Sequence, residues 1–324
     1  MNRYLKLLIA GLASIVGIYI AFRGENLESL WSQILQIDKV AFYSANLLLL
    51  LSCVIRAYRW GLLIEPIEKI GLKHLFSSTM IGYFGNGVLV FRLGELLKSY
   101  SISKNSSLSV PQAFGTVILE RILDLLTVFF IFLLFFPWFP FEFEWLRVSV
   151  IAFSILLLAM ILFIFLVFKF QWNNKLNNLK IFQTSYGKNI IHILDKIFDG
   201  IILIKNIKHY FGIIVSSGLL WGIYYFITFI LLYACGIDLG IIGSGVLLLI
   251  GSFAIGIPAL PGSAGTYDAA VKFGLITVFS IVSEKALTYA LVSHFVSYFP
   301  VVTVGALYFM MGSIKISEFQ TNKV

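Results

Sequence analysis

The sequence predicts an all-α integral membrane protein: six full spans and two re-entrant helical hairpins, arranged as an inverted-topology repeat. Three observations predict it, namely a surplus of apolar residues, the lengths of the apolar stretches, and the segregation of basic residues between them. Hydrophobic residues make up 59% of the 324 and charged residues 12%, with a mean hydropathy of +0.94. A soluble domain carries about a quarter charged residues, so this chain cannot coat a water-facing globule and its apolar surplus must face lipid.

The net charge of +8 points to anionic headgroups and away from nucleic acid, because the basic residues lie in short loops between apolar stretches. Cys53 and Cys235 are far apart, with neither disulfide nor metal spacing, and read as small buried hydrophobes. The first 25 residues resemble a signal peptide but lack a small-x-small cleavage site before Arg23, so they read as a retained first span.

A hydrocarbon core of about 30 Å takes roughly 20 helical residues. Stretches of that length are 4–22, 40–63, 110–136, 148–168, 210–234 and 286–311. Two further regions do not fit a single span. Residues 76–91 are too few and contain Gly82, Gly85, Asn86 and Gly87; residues 239–282 are too many and are broken at Pro258, Pro261 and Gly262. Eighteen of the 24 basic residues fall at the N-terminus, in 56–104, in 169–208 and in the C-terminal tail, which the positive-inside rule makes cytoplasmic. Both flanks of 76–91 are then cytoplasmic and both flanks of 239–282 external, so each segment should enter the membrane and return. The expected organisation is one transmembrane domain over 1–324, with halves at 1–138 and 147–312 and a cytoplasmic amphipathic connector at 170–209.

Three spans per half invert one half relative to the other. Gly82-x-Phe84-x-x-Gly87 matches Gly251-x-Phe253-x-x-Gly256 at an offset of 169, and Ala113, Val117 and Arg121 fall opposite Ala286, Ala290 and His294 at 173. Each half also places an amphipathic stretch after its first span: Leu27, Leu30, Trp31, Ile34 and Leu35 in one, Ile190, Ile191, Leu194, Ile197, Phe198 and Ile201 in the other.

Broken helices at membrane depth survive only where protein or a wet cavity satisfies their backbone, and such segments at corresponding positions of inverted halves point to a transport site. After the first hairpin, Arg92 offers a planar fork suited to phosphate or carboxylate. Gly94 permits close backbone approach, and Glu95 either orients Arg92 or accepts a proton; the same run also reads as a headgroup-level charge cluster. In the second hairpin Pro261, Gly262 and Gly265 force a turn, either structural or aiming N–H groups at a ligand, and Asp268 and Lys272 stand at i, i+4 spacing. His294 faces them as a ligand or as a satisfied buried histidine. Inside the span 110–136, Glu120, Arg121 and Asp124 place three charges in five positions. Each charge costs about 2.5–3.5 kcal/mol at a span centre, so their face must look inward, with Arg121 and Asp124 pairing at i, i+3 and Glu120 as a surplus acid. Glu95, Glu120 and Asp124 are the proton-coupling candidates. Arg56, Tyr58, Arg59 and Trp60 read as an interfacial anchor. No Walker loop, dinucleotide fingerprint, Ser-His-Asp order or metal-spaced His cluster is present, so neither a cofactor nor a metal is expected.

At Arg92-x-Gly94-Glu95, Glu120-Arg121-x-x-Asp124 and Pro261-Gly262-x-x-Gly265-x-x-Asp268 the chain resembles the lysylphosphatidylglycerol synthase transmembrane (flippase-like) family, which includes the flippase domain of the multiple peptide resistance factor. The resemblance covers roughly residues 5–312. It departs from the family at Lys98 (usually Arg), at Asp268 (usually Glu) and in lacking a proline just before Arg92. It implies a lipid-translocating fold with two hairpins meeting at a central cavity, in a prokaryotic cytoplasmic (inner) membrane, multi-pass with both termini cytoplasmic. It implies phospholipids, aminoacylated lipids or polyprenyl-phosphate lipids as substrates. A soluble aminoacyltransferase domain is not in the sequence, so synthesis of such lipids is not expected.

The function expected is therefore a non-enzymatic lipid transporter, flippase- or scramblase-like, in which Arg92 and Arg121 hold an anionic headgroup while the acyl tails stay in the bilayer. The other readings are an intramembrane transferase or hydrolase on a lipid-linked substrate, with Glu120 or Asp124 as base, and a non-catalytic scaffold for a lipid-modifying enzyme. Expected partners are lipids with anionic headgroups, such an enzyme, or a second copy of the chain.

Overall fold

The computed structural model describes residues 19, 22, 24, 26–89, 93–170, 185–202, 207–255, 261–263 and 265–312. Among these the secondary structure is all helical. Eleven α-helices run in chain order: α1 (Leu27–Gln36), α2 (Lys39–Ile64), α3 (Leu72–Val88), α4 (Gly94–Ser103), α5 (Val110–Phe135), α6 (Glu144–Phe170), α7 (Ser185–Ile202), α8 (Tyr210–Ala234), α9 (Gly240–Ile255), α10 (Thr266–Phe279) and α11 (Ser283–Met311). Short 3₁₀ turns occupy Phe136–Trp138 and Pro261–Ser263. The expected span 4–22 lies almost wholly outside the described residues, as does much of the connector 170–209, of which the helix α7 is described.

Local signals place the helix starts. Asn26 caps α1 by accepting from the N–H groups of Glu28 and Ser29, and Asp38 caps α2 by accepting from Ala41 N–H at 2.7 Å. Ser109 caps α5, whose first turn contains Pro111 and therefore needs one fewer backbone acceptor. Among the described residues four helices are long and apolar enough to cross a membrane: Lys39–Ile64, Glu144–Phe163, Tyr210–Ala234 and Ser283–Met311. The helix α5 is as long as α2, at 26 residues, but carries Glu120, Arg121 and Asp124 in its apolar run. Shorter are α3, with 17 residues, and α9, with 16. At 1.5 Å per residue each reaches only about 25 Å, short of the hydrocarbon thickness.

Each of these short helices folds back on the next. In the first pair a Cβ on Gly82 would meet Lys98 and one on Gly85 would meet Gly94, so α3 and α4 run antiparallel as a helical hairpin. In the second pair Gly243 faces Phe279 and Gly274 faces Ile250, which makes α9 and α10 antiparallel too. Gly94 is where the first hairpin is tightest: a Cβ there would stand 2.0 Å from the carbonyl oxygen of Gly82, and its N–H donates to Asn86 Oδ1 at 3.0 Å. The close approach that the sequence reading assigned to Gly94 is thus made to the other arm of its own hairpin.

The helix contacts come in matched pairs. The second arm of each hairpin packs on the helix that follows it (α4 on α5, α10 on α11). Each first arm packs on the helix that follows the other hairpin (α3 on α11, α9 on α5). The amphipathic helices do likewise, α1 on α11 and α7 on α5, while α2 and α8 pack against each other. The main apolar core lies at this α2–α8 seam and includes Ala45, Leu49, Cys53, Leu231, Leu247, Leu275, Ala290 and Val296.

Candidate functional site

The two carboxylates of α5 stand at i, i+4 and so share one helix face. That face meets α2, where Arg56 and Arg59 share a face at i, i+3, and α4, which brings Lys98. Arg56 Nη1 donates to Glu120 Oε1 at 2.7 Å and to Asp124 Oδ2 at 2.8 Å. Arg59 Nη2 donates to Asp124 Oδ1 at 2.6 Å, and its Nη1 donates to Ser217 Oγ on α8 at 3.1 Å. Lys98 Nζ donates to Glu120 Oε2 at 2.5 Å and lies 4.0 Å from the ring centroid of Trp60, whose indole N–H donates to Thr116 Oγ1. The fourth cation is Arg121, with Glu95 at 3.4 Å and Glu120 and Asp124 each at 3.5 Å.

This arrangement corrects the reading of residues 56–60 as an interfacial anchor. Arg59 and Trp60 are fully buried and Arg56 nearly so; of the four only Tyr58 is exposed. Arg56 lies eight residues before the end of α2, about 12 Å along the axis, deeper than a headgroup-level side chain needs to be. The structure also reverses the expected charge balance. Instead of a surplus acid, four cations (Arg56, Arg59, Lys98, Arg121) face three carboxylates (Glu95, Glu120, Asp124), leaving one net positive charge when all are ionised.

Arg121 differs from the other three cations in reaching the outside of the cluster. Its side chain is 41% exposed, whereas those of Arg59 and Lys98 are 0% and 3% exposed. It borders a cavity of about 230 Å³ between α4 and α5, otherwise lined by Glu95 and by the apolar side chains of Leu93, Leu96, Phe114, Val117 and Ile118. The Nε atoms of Arg56, Arg59 and Arg121 have no hydrogen-bond partner among the described residues. A guanidinium whose side chain is partly open at the end of an apolar cavity has the chemistry to hold an anionic group attached to a hydrocarbon chain.

A second cluster forms around the other hairpin. Asp268, near the start of α10, accepts from Gly265 N–H at 2.9 Å and lies 2.8 Å from His294 Nδ1. His294 Nε2 lies 3.0 Å from the carbonyl oxygen of Gly262. Lys272 is buried one turn along α10 and is itself partnered. Gly262 (φ 73°), Ser263 (φ 59°) and Gly265 (φ 82°) are all left-handed, which explains glycine at two of the three positions. Tyr298 joins the hairpins: its hydroxyl donates to the Gly87 carbonyl at the end of α3, and its ring fills the space beside Gly262.

A sequence profile described as the lysylphosphatidylglycerol synthase TM region matches residues 4–305. The chain belongs to the lysylphosphatidylglycerol synthase transmembrane family. No curated protein matches it. The candidate site residues read from the sequence are gathered by the fold into two places. Gly94, Glu95, Glu120, Arg121 and Asp124 meet around α5, while Pro261, Gly262, Gly265, Asp268, Lys272 and His294 meet around the start of α10. Arg92 lies outside the described residues. Sequence reasoning missed Arg56, Arg59 and Tyr298. For the two arginines a signal existed in their depth within an apolar stretch; Tyr298 is one of several aromatics in its span and carried none.

Proposed function

We propose that this member of the family moves a lipid with an anionic headgroup, a phospholipid, aminoacylated phospholipid or polyprenyl phosphate, between the leaflets of a prokaryotic cytoplasmic membrane. The observation that carries the reading is Arg121, a half-exposed guanidinium that joins a buried, net-positive charge cluster to an apolar cavity. The headgroup binds at Arg121, with Arg92 a second donor, while its hydrocarbon chains lie along Leu96, Phe114 and Ile118 and out into the bilayer.

In this reading both hairpins are re-entrant, six spans cross the membrane with both termini cytoplasmic, and the halves form an inverted repeat. The matched helix contacts support that symmetry. So do the ion pairs at the hairpins, since Glu95 with Arg121 and Asp268 with His294 are related by the same offset of 173 in both members. Broken helices at matching positions in inverted halves are where transporters bind substrate. The reading assigns the protein no covalent step.

The test is lipid movement in vesicles reconstituted with the purified chain, using fluorescent phosphatidylglycerol in the inner leaflet and a membrane-impermeant quencher outside. Wild type exposes the probe faster than protein-free vesicles, and Arg121→Ala falls at least tenfold toward the protein-free rate. Equal rates for wild type and Arg121→Ala contradict the assignment.

A further inference from the structure

His294 makes two contacts that a neutral imidazole cannot satisfy together. Its Nδ1 lies 2.8 and 2.9 Å from the two carboxylate oxygens of Asp268, and its Nε2 lies 3.0 Å from the Gly262 carbonyl oxygen. A neutral ring carries one N–H and one lone pair. With hydrogen on Nε2 the carbonyl is satisfied, and the Nδ1 lone pair faces the carboxylate. With hydrogen on Nδ1 the carboxylate is satisfied, and the Nε2 lone pair faces the carbonyl. One added proton, on ring or carboxyl, completes both contacts and takes the pair from one negative charge to neutral.

The contrast with the other half sharpens this. At the corresponding positions Glu95 meets Arg121, a side chain that stays charged at every physiological pH. The second half puts an imidazole there, the side chain whose charge changes between about pH 5 and 8. The imidazole is 17% exposed rather than sealed in the core. The groups facing it are few. Asp268, Tyr267 (ring centroids 5.4 Å apart) and the partnered Lys272 come from α10, and Tyr298 (6.0 Å) comes from α11. The turn contributes the Gly262 carbonyl, and α3 approaches through the Gly87 carbonyl that Tyr298 holds.

The proton controls the hold on the second hairpin's turn. The Gly262 carbonyl belongs to a turn in which Gly262, Ser263 and Gly265 are left-handed, and Ser263, which carries a Cβ, needs surrounding contacts to hold that conformation. His294 holds the carbonyl of Gly262, and Tyr298, one turn further along α11, packs on the same glycine and holds the end of the first hairpin. We propose that Asp268 and His294 form a proton-binding site whose occupancy fastens the turn of the second hairpin to α11 and, through Tyr298, to the first hairpin. Loss of the proton leaves the ring's remaining hydrogen on Nδ1, against the carboxylate in the stronger charge-assisted contact, so the Gly262 carbonyl loses its donor and the turn is released. The site stands whether or not the lipid reading does.

Hydrogen–deuterium exchange of the full chain in lipid nanodiscs tests this, read at the amides of residues 262–268 and corrected for the intrinsic effect of pH on exchange. Wild type is expected to be at least tenfold better protected at pH 5.5 than at pH 8.5. His294→Arg, which copies the permanent cation of the other half, should hold the protected state at both pH values. His294→Gln should be poorly protected at both, and serves alone if the arginine variant does not fold. Protection in wild type that does not change with pH overturns the proposal, as does a wild-type pH response retained in either variant.

Discussion

Lys98 Nζ stands 2.5 Å from Glu120 Oε2, and neither side chain meets solvent. This contact ties the return arm of the first hairpin to the helix that follows it. It lies across a hairpin whose arms are in backbone contact at Gly94, so the charge cluster and the hairpin form one packed unit.

Removing the carboxylate of Glu120 would strand the buried Lys98 and leave Arg56 with the Asp124 carboxylate alone. Breaking a buried pair from one side costs about 3–5 kcal/mol. Glu120→Ala is therefore expected to be destabilised by that amount, read as a fall in the thermal midpoint of the detergent-solubilised protein. A variant with both Lys98→Met and Glu120→Leu should recover part of the loss, because it leaves fewer unpaired charges behind.

Arg59 and Arg121 should separate stability from function. Arg59 is fully buried and holds Asp124 and Ser217, so Arg59→Ala is expected to lose about 3–5 kcal/mol. The pairs of Arg121 are long and its side chain is 41% exposed, so Arg121→Ala should cost about 1 kcal/mol or less. Thermal unfolding of the two variants side by side checks the ranking, and the vesicle assay shows whether the milder variant loses lipid movement.

At Gly262 two penalties coincide. The backbone is left-handed, and an added Cβ would stand 2.5 Å from the Tyr298 ring. A left-handed alanine costs roughly 1–2 kcal/mol, and overpacking adds about 1–3 kcal/mol. Gly262→Ala should be destabilised, and combining it with Tyr298→Ala should relieve only the overpacking share. Thermal midpoints of the single and double variants measure both parts.

Outside the helices, the Glu68 carboxylate accepts from Ser107 N–H at 2.7 Å and from Ser107 O–H at 2.6 Å. The hydroxyl, then the backbone N–H, hold its pKa below the usual carboxylate value. A depressed folded value stabilises the fold above the unfolded pKa, and that contribution is lost as pH falls through the folded value. Ser107→Ala is expected to narrow the stability gap between pH 7 and pH 3, by a small amount because Glu68 is solvent-exposed. Thermal midpoints across that range check the sign.

Much of this fold was legible in the sequence. Glycine and proline inside apolar runs marked the segments too broken to be single spans. The hairpin expected within 76–91 is instead one helical arm, α3, whose return arm α4 follows it, because glycines flanked by apolar residues stay helical where a neighbouring helix packs closely. Three charges in five positions marked the inward face of α5, because each charge demands a partner when water is absent. Arg56 and Arg59 were misread because basic residues beside Tyr58 and Trp60 near the end of an apolar stretch have the composition of a headgroup anchor. Their true partners, Glu120 and Asp124, lie on another helix, and only the packing of α2 on α5 brings them together. Asp268 was expected beside Lys272 at helical spacing and facing His294, and the structure sets His294 Nδ1 on its carboxylate at 2.8 Å.

The central claim, that Arg121 holds the anionic headgroup of a lipid, is tested most directly by native mass spectrometry of the purified chain offered equal amounts of phosphatidylglycerol and phosphatidylcholine. The account predicts that wild type retains phosphatidylglycerol in preference and that Arg121→Ala, still folded, loses the preference. Equal retention of the two lipids by wild type, or an unchanged preference in Arg121→Ala, would contradict it.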